Sequence, residues 1–231
     1  MAAAMRIRRQ VAAPGRGQSP RSPQDLPAGA RLIELPRRCL LTYDPSDCDP
    51  GLLALIGQVP EELWGGRLAL ALLAHRAAGP SSPFAPYIAQ LPRGFPGVPM
   101  FFSREALEAI DYPPVVEQVK KRCRWLHRFS TDALAPLAGT AADPFGGVRV
   151  DINSLGWGLA AVTSRAFRVR GPSQPASLLP LIDMANHSFE PNAEVLPAED
   201  GGVAMVAKRQ LRVCEWPWWP SGRWGQWAGV T

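Results

Sequence analysis

The sequence predicts an α+β fold, with short strands near both ends and helices between them. Three observations carry that reading. Brief apolar runs rich in branched side chains, Arg31-Leu-Ile-Glu-Leu-Pro36 and Cys39-Leu-Leu-Thr42, follow the turn-like Asp25-Leu-Pro-Ala-Gly29 and read as two small strands. Leu63, Arg67, Leu70, Ala71 and Ala74 recur at helical spacing within Glu61–Ala78, and Gly79-Pro80 stops the run. Gly201-Gly202 falls between two further strand-like runs, Ala193–Leu196 and Val203–Ala207, which is the signature of a hairpin.

The middle of the chain supplies the other helices. Ser103 is placed to cap one that runs to about Ile110, with Glu105 in its first turn. Pro113-Pro114 opens the next, in which Val116, Val119, Lys120, Cys123, Leu126 and His127 share a face. Lys121, Arg124 and Arg128 occupy the others, read as a solvated face or a substrate contact. Asp143-Pro-Phe-Gly-Gly147 is a loop, and Ser154–Arg165 is a helix whose Gly156, Gly158, Ala160 and Ala161 permit close packing. No internal repeat is present.

Composition narrows the function classes. A chain of 231 residues that is 46% hydrophobic can bury a core, whereas its longest apolar runs, such as Leu68–Ala74, fall far short of the roughly 18 residues a membrane span requires. The expectation is a protein neither secreted nor in the membrane. The formal charge of +5 comes wholly from the five arginines of residues 1–24, leaving 20 Lys and Arg against 20 Asp and Glu. The basic footprint of a nucleic-acid-binding domain is therefore not expected. Cys39, Cys48, Cys123 and Cys214 form no C-x-x-C pair, and His75, His127 and His187 are dispersed, so neither a metal site nor a disulfide framework is expected.

The densest polar cluster follows an apolar run. Leu178, Leu179, Leu181 and Ile182 read as a short buried strand, and the chain then turns to Asp183-Met-Ala-Asn186-His187-Ser188 and Pro191-Asn192. This string resembles the central motif of SET-domain protein methyltransferases, in the branch of the Rubisco large-subunit lysine methyltransferases and the actin-histidine methyltransferases. Thr163-Ser-Arg-Ala-Phe167 is similar to the strand preceding that motif, and Pro86-Tyr-Ile88, Leu91-Pro92 and Pro99-Met-Phe-Phe-Ser103 resemble the branch's helical insert.

The resemblance covers about residues 15–213 and implies a SET-like domain of short β-strands with a helical insert. Residues 15–60 form its first part, 61–160 the insert and 161–213 its second part. It further implies S-adenosylmethionine as cofactor and a protein lysine, or less readily a histidine, as acceptor. Asn186 and His187 would hold the cofactor, Arg165 would pair with its carboxylate, and Gly17 would let the backbone approach it. Ser164 and Asp183 would face the incoming lysine as catalytic residues. Two structural alternatives stay open: Asp183 caps a turn, or Arg165 belongs to an internal ion pair. The implied location is the chloroplast, or the cytoplasm and nucleus.

The chain departs from the family in three places. Gln18-Ser-Pro-Arg-Ser-Pro23 follows Gly15-Arg-Gly17 where the family has a strand. The family's aromatic hydroxyl in a Tyr-Gly context near the C-terminus has no counterpart, because the three tyrosines are Tyr43, Tyr87 and Tyr112. Residues 214–231 hold five of eight tryptophans with no strand or helix period, and the expectation is that they are foreign to the fold of a truncated chain with low or no activity. The alternative is a non-catalytic interaction module derived from a SET domain. Residues 1–14, rich in Ala and Arg, read equally as a disordered tail or a targeting leader.

Overall fold

A computed structural model describes residues 25–169, 175–213, 217 and 219–220. They form two compact units, one holding the described residues up to 40, 167–169 and those from 178 onward, the other 41–166 and 175–177.

The first unit is built on a three-stranded antiparallel sheet. Strand β1 (Arg31–Leu35) is followed in chain order by β2 (Ala166–Phe167), β3 (Ser177–Leu178), β4 (His187–Ser188), β5 (Ala193–Pro197), β6 (Val203–Ala207) and β7 (Trp219–Pro220). The sheet order is β1-β6-β5, while β2 pairs with β3 and β4 with β7. The hairpin anticipated from the double glycine is present, with Val195 opposite Met205 and Pro197 opposite Val203. Gly201 takes φ 81°, which other residues enter only at a cost. A Cβ on Gly202 would run into the carbonyl oxygen of Leu35 and lie 3.0 Å from Pro36 Cα, so β1 can pass over the turn only above a glycine.

Buried residues of β1, β5 and β6 feed one core. Leu35, Val203 and Met205 are buried with Leu179, Ile182 and Ala193 in a single apolar cluster. The bridge of Leu26 to Leu211 extends the sheet's edge, and Gly29, at φ 78°, donates its N–H to Ala207 O at 2.8 Å. Cys39–Thr42 is not the second strand its composition suggested: Arg37–Cys39 makes a 3₁₀ turn after Pro36, which has no N–H to give a ladder.

The second unit is helical. It contains α1 (Pro50–Gly57), α2 (Trp64–Ala77), α3 (Ala85–Ile88), α4 (Arg104–Glu108), α5 (Pro113–Phe129), α6 (Ala135–Leu137) and α7 (Ile152–Arg165). Helix α1 lies outside the helices read from the sequence, yet its signals are orthodox: Asp49 Oδ1 accepts the Leu52 N–H at 2.9 Å and Pro50 sits at the first helical position. Helix α2 is preceded by a 3₁₀ turn at Glu61–Leu63. It is apolar around its circumference, and Leu68, Leu70 and Leu72 are fully buried, as a helix central to a unit must be.

Helix α7 packs on α2. The small residues noted in its sequence serve that approach, since a Cβ on Gly158 would stand 3.3 Å from Leu73 Cδ1 and 3.4 Å from Ala69 Cβ. Arg67, one of the residues that recur at helical spacing in α2, donates Nε–H to Val59 O at 2.9 Å. At the start of α7 Asp151 Oδ1 accepts from Ser154 N at 2.8 Å, and these bonds hold the Asp151 carboxyl below its usual range. Asp151→Ala is expected to lower stability by about 0.5–2 kcal/mol, measured by urea denaturation at pH 7. As pH falls through the depressed pKa the carboxylate is protonated and this contribution vanishes, so wild type and variant should converge in acid.

The face of α5 differs from its sequence reading. Leu126 and Phe129 are buried, with Trp125 stacked on Phe129 at 5.1 Å, while Lys120 and His127 are exposed. Its packed stripe therefore runs through Val119, Arg122, Leu126 and Phe129, a quarter turn from the one anticipated. A π-helical turn, Ser130–Leu134, continues α5 ahead of Pro136, whose ring cannot continue the ordinary ladder. Among the described residues no helix is long and apolar enough to cross a membrane.

Candidate functional site

In the first unit the strand expected over Leu178–Ile182 gives way to a turn ahead of the Asn-His pair, and His187 then opens β4. Only Leu178 of the expected strand is in a ladder, and Ile182–Met184 forms a 3₁₀ turn. The Asp183 N–H donates to Leu179 O at 3.0 Å and the Ala185 N–H to Ile182 O at 3.1 Å. Pro180 breaks the strand by lacking an N–H. Leu181 then takes φ 72° and ψ −42°, a conformation that costs a bulky residue about 1–3 kcal/mol. Its side chain is exposed, at 38%, so the apolar character that marked it as core is not used there.

This turn divides the segment's side chains by burial. Ile182 is fully buried and Ala185 nearly so, and they pin the loop. Asp183 is half-buried, its Oδ1 shut off from solvent, and its side chain is engaged. Asn186 and His187 face outward. Partial desolvation pushes the His187 pKa down from its usual value, which favours the neutral imidazole, a ring with one N–H donor and one acceptor. Ser188 Oγ accepts the Glu190 N–H at 3.1 Å, folding the chain back toward β5.

Asn192 is a buried polar residue in this unit, 1% exposed, and its side chain is engaged. Its carbonyl accepts the Lys208 N–H at 2.8 Å, tying the end of the motif to the strand after the hairpin. The position of Asn192 after Pro191, leading into an apolar strand, was the available signal.

Strand β7 was not anticipated. Trp219–Pro220 pairs in parallel with β4, His187 opposite Trp219 and Ser188 opposite Pro220, so part of the stretch read as foreign lies along the motif's own backbone. A two-residue ladder shows no period, which is why composition concealed it.

In the second unit Ser164 and Arg165 form the last turn of α7, as the helix read over Ser154–Arg165 implies, whereas the resemblance likened Thr163–Phe167 to a strand; the strand begins only at Ala166. Ser164 Oγ lies 2.9 Å from Ala160 O and 3.0 Å from Ala161 O. Its proton is thus committed to the helix backbone, and its oxygen lone pairs are what remain to accept from a ligand. Arg165 is half-buried and engaged. The structure thus places Asp183, Asn186 and His187 on one short segment, the turn and the start of β4, and Ser164 with Arg165 on one helix end, while Gly17 and the leader lie outside the described residues. Among the described residues no group of three or more His, Cys, Asp or Glu is placed to hold a metal.

A small antiparallel sheet, a helical unit between its strands in sequence, and an Asn-His turn beside a short parallel ladder together make the fold that of a SET domain. The solved structures it is similar to include the SET domain of LSMT bound to lysine and AdoHcy, at TM-score 0.70 and 14% identity over 94% of this chain and 50% of that one. Rubisco LSMT bound to AdoMet matches at TM-score 0.68 and 14% identity, over 88% of this chain and 46% of that one. The chain thus spans about half the length of the structures it resembles. No family model matches it, nor does any curated protein.

Proposed function

We propose that the chain binds S-adenosylmethionine at the Asn186-His187 turn and belongs to the chemistry of protein-lysine N-methylation, with low turnover. The observation that carries this reading is the separation of anchors from polar groups on that turn: Ile182 and Ala185 are buried while Asn186 and His187 are presented outward. An amide and a neutral imidazole suit the donors and acceptors of an amino acid and an adenine, so the donor set fits the cofactor, and Arg165 would meet its carboxylate.

When bound, the cofactor supplies an electrophilic methyl group. The protein's part is then to position the acceptor and to keep it neutral, because free lysine has a pKa of about 10.4 and only an apolar channel lowers it. Ser164 and Asp183 would take the positioning part, each accepting a hydrogen bond from the amine, while neutrality would have to come from apolar surroundings, because an ionised Asp183 favours the charged ammonium. In this sequence no tyrosine follows Tyr112, so the aromatic hydroxyl that the resemblance calls for is not among these residues.

That same absence favours a second reading, a SET-derived interaction module that binds a protein and methylates nothing. Calorimetry with S-adenosylmethionine separates the two. Binding on the order of micromolar that is lost in the Asn186→Ala, His187→Ala double variant is the expected result, and no heat from the wild-type chain overturns the first reading. Transfer of labelled methyl groups to a protein extract then measures turnover directly.

A further inference from the structure

We infer that the outer face of α5 is a docking surface for an acidic polypeptide segment. Outside residues 1–24 the chain is charge-balanced, yet this one helix carries Lys120, Lys121, Arg122, Arg124 and Arg128 against the single acid Glu117. Glu117 is spent on Lys120, at 3.1 Å. Asp132, one turn beyond Arg128, accepts from the Thr131 hydroxyl at 2.8 Å. Lys121, Arg124 and Arg128 are exposed and make no ion pair among the described residues.

The three are spaced i, i+3 and i+7, so they form one stripe about 10 Å long. Its position opposite Leu126 and Phe129, which are buried, turns the stripe away from the unit's core. Like charges at such spacings repel each other, so the arrangement is uncompensated unless a partner brings the opposite charge.

The geometry selects the partner. An extended peptide places alternate side chains on one side about 6.6 Å apart, close to the 5–6 Å between neighbours along a helix stripe, so alternate carboxylates can meet Lys121, Arg124 and Arg128 in turn. Nucleic acid fits less well. Non-specific binding grows with the number of phosphates neutralised, of which three side chains reach few, and single strands also use stacking platforms, whereas Trp125 and Phe129 of this helix are stacked on each other. The choice of a protein partner rests in part on the function proposed above, but the surface is tested by binding alone and does not depend on methyl transfer.

The test is fluorescence anisotropy of a labelled, alternating Glu-Thr peptide with the full chain, in wild type and in the K121E/R124E/R128E and K121Q/R124Q/R128Q variants. All three retain the arginines of residues 1–24. Binding that weakens with salt and falls about tenfold or more in either variant is expected, as the sum of three exposed ion pairs. The charge-reversed variant should instead take up the corresponding Lys-Thr peptide, a gain that loss of folding cannot produce. Equal binding of the Glu-Thr peptide by wild type and variants, or no binding by wild type, overturns the inference. So does a DNA oligonucleotide held more tightly than the peptide through the same three residues, which would make the face a nucleic-acid surface.

Discussion

Replacing Trp157 by alanine should lower the free energy of unfolding by about 3–5 kcal/mol, the range for deleting a buried aromatic, out of a total of only about 5–15 kcal/mol for a domain. Trp157 is 9% exposed in the middle of α7. Its indole N–H donates to Pro92 O at 2.9 Å, fastening the helix to a segment far away in sequence. Arg76, at the end of α2, lies 4.1 Å above the ring, adding a cation–π contact. Trp157→Phe keeps most of the ring area but leaves the Pro92 carbonyl without its donor, and should cost about 1 kcal/mol for the lost bond plus a smaller packing loss. Urea denaturation of the three proteins checks the order. A Trp157→Ala protein as stable as wild type would refute the packing described for α7.

The second large effect is expected at Ile182→Ala, about 2–5 kcal/mol. Ile182 is fully buried among Leu179, Ala185, Phe167 and Met205, and it holds the turn from which Asn186 and His187 project. The loss should therefore appear twice, as a lower thermal midpoint and as weaker uptake of S-adenosylmethionine at temperatures where the protein is still folded. Phe189→Ser, in the same loop but at a side chain 93% exposed, should move stability by no more than about 0.5 kcal/mol. If Ile182→Ala lowers stability but leaves cofactor affinity untouched, the turn is not what positions the binding groups.

The sequence made some of this architecture legible and hid the rest for physical reasons. The hairpin was readable because Gly201-Gly202 lies between two strand-like runs, and the turn needs a glycine at Gly202, where a Cβ would run into Leu35 O. Helices α2 and α7 were readable from long periodic segments. Helix α1 was missed because its Pro50-Gly51 start and Gly57 end resemble loop punctuation, although Asp49-Pro50 is a sound helix opening.

Site residues divided in the same way. Asn186 and His187 were marked by a local motif, and their outward placement follows from the burial of Ile182 and Ala185 around them. The direction of the Ser164 hydroxyl was not legible, since it depends on whether the residue ends a helix or begins a strand. Leu181 misled for a similar reason. Its apolar side chain argued for a core strand, but Pro180 beside it forces a break that periodicity does not record.

The ladder between β4 and β7 sets a timetable for the molecule. The hairpin of β5 and β6 lies in the chain between His187 and Trp219, so the β4–β7 pairing is of higher contact order than the hairpin, pays loop-closure entropy before any ladder bond repays it, and is expected to form after it. A two-residue ladder is also among the first to open in the folded state. The backbone amides around His187 should therefore be the last to gain protection during refolding and the first to lose it near equilibrium, and a ligand held at that turn would slow their exchange more than any other in the sheet.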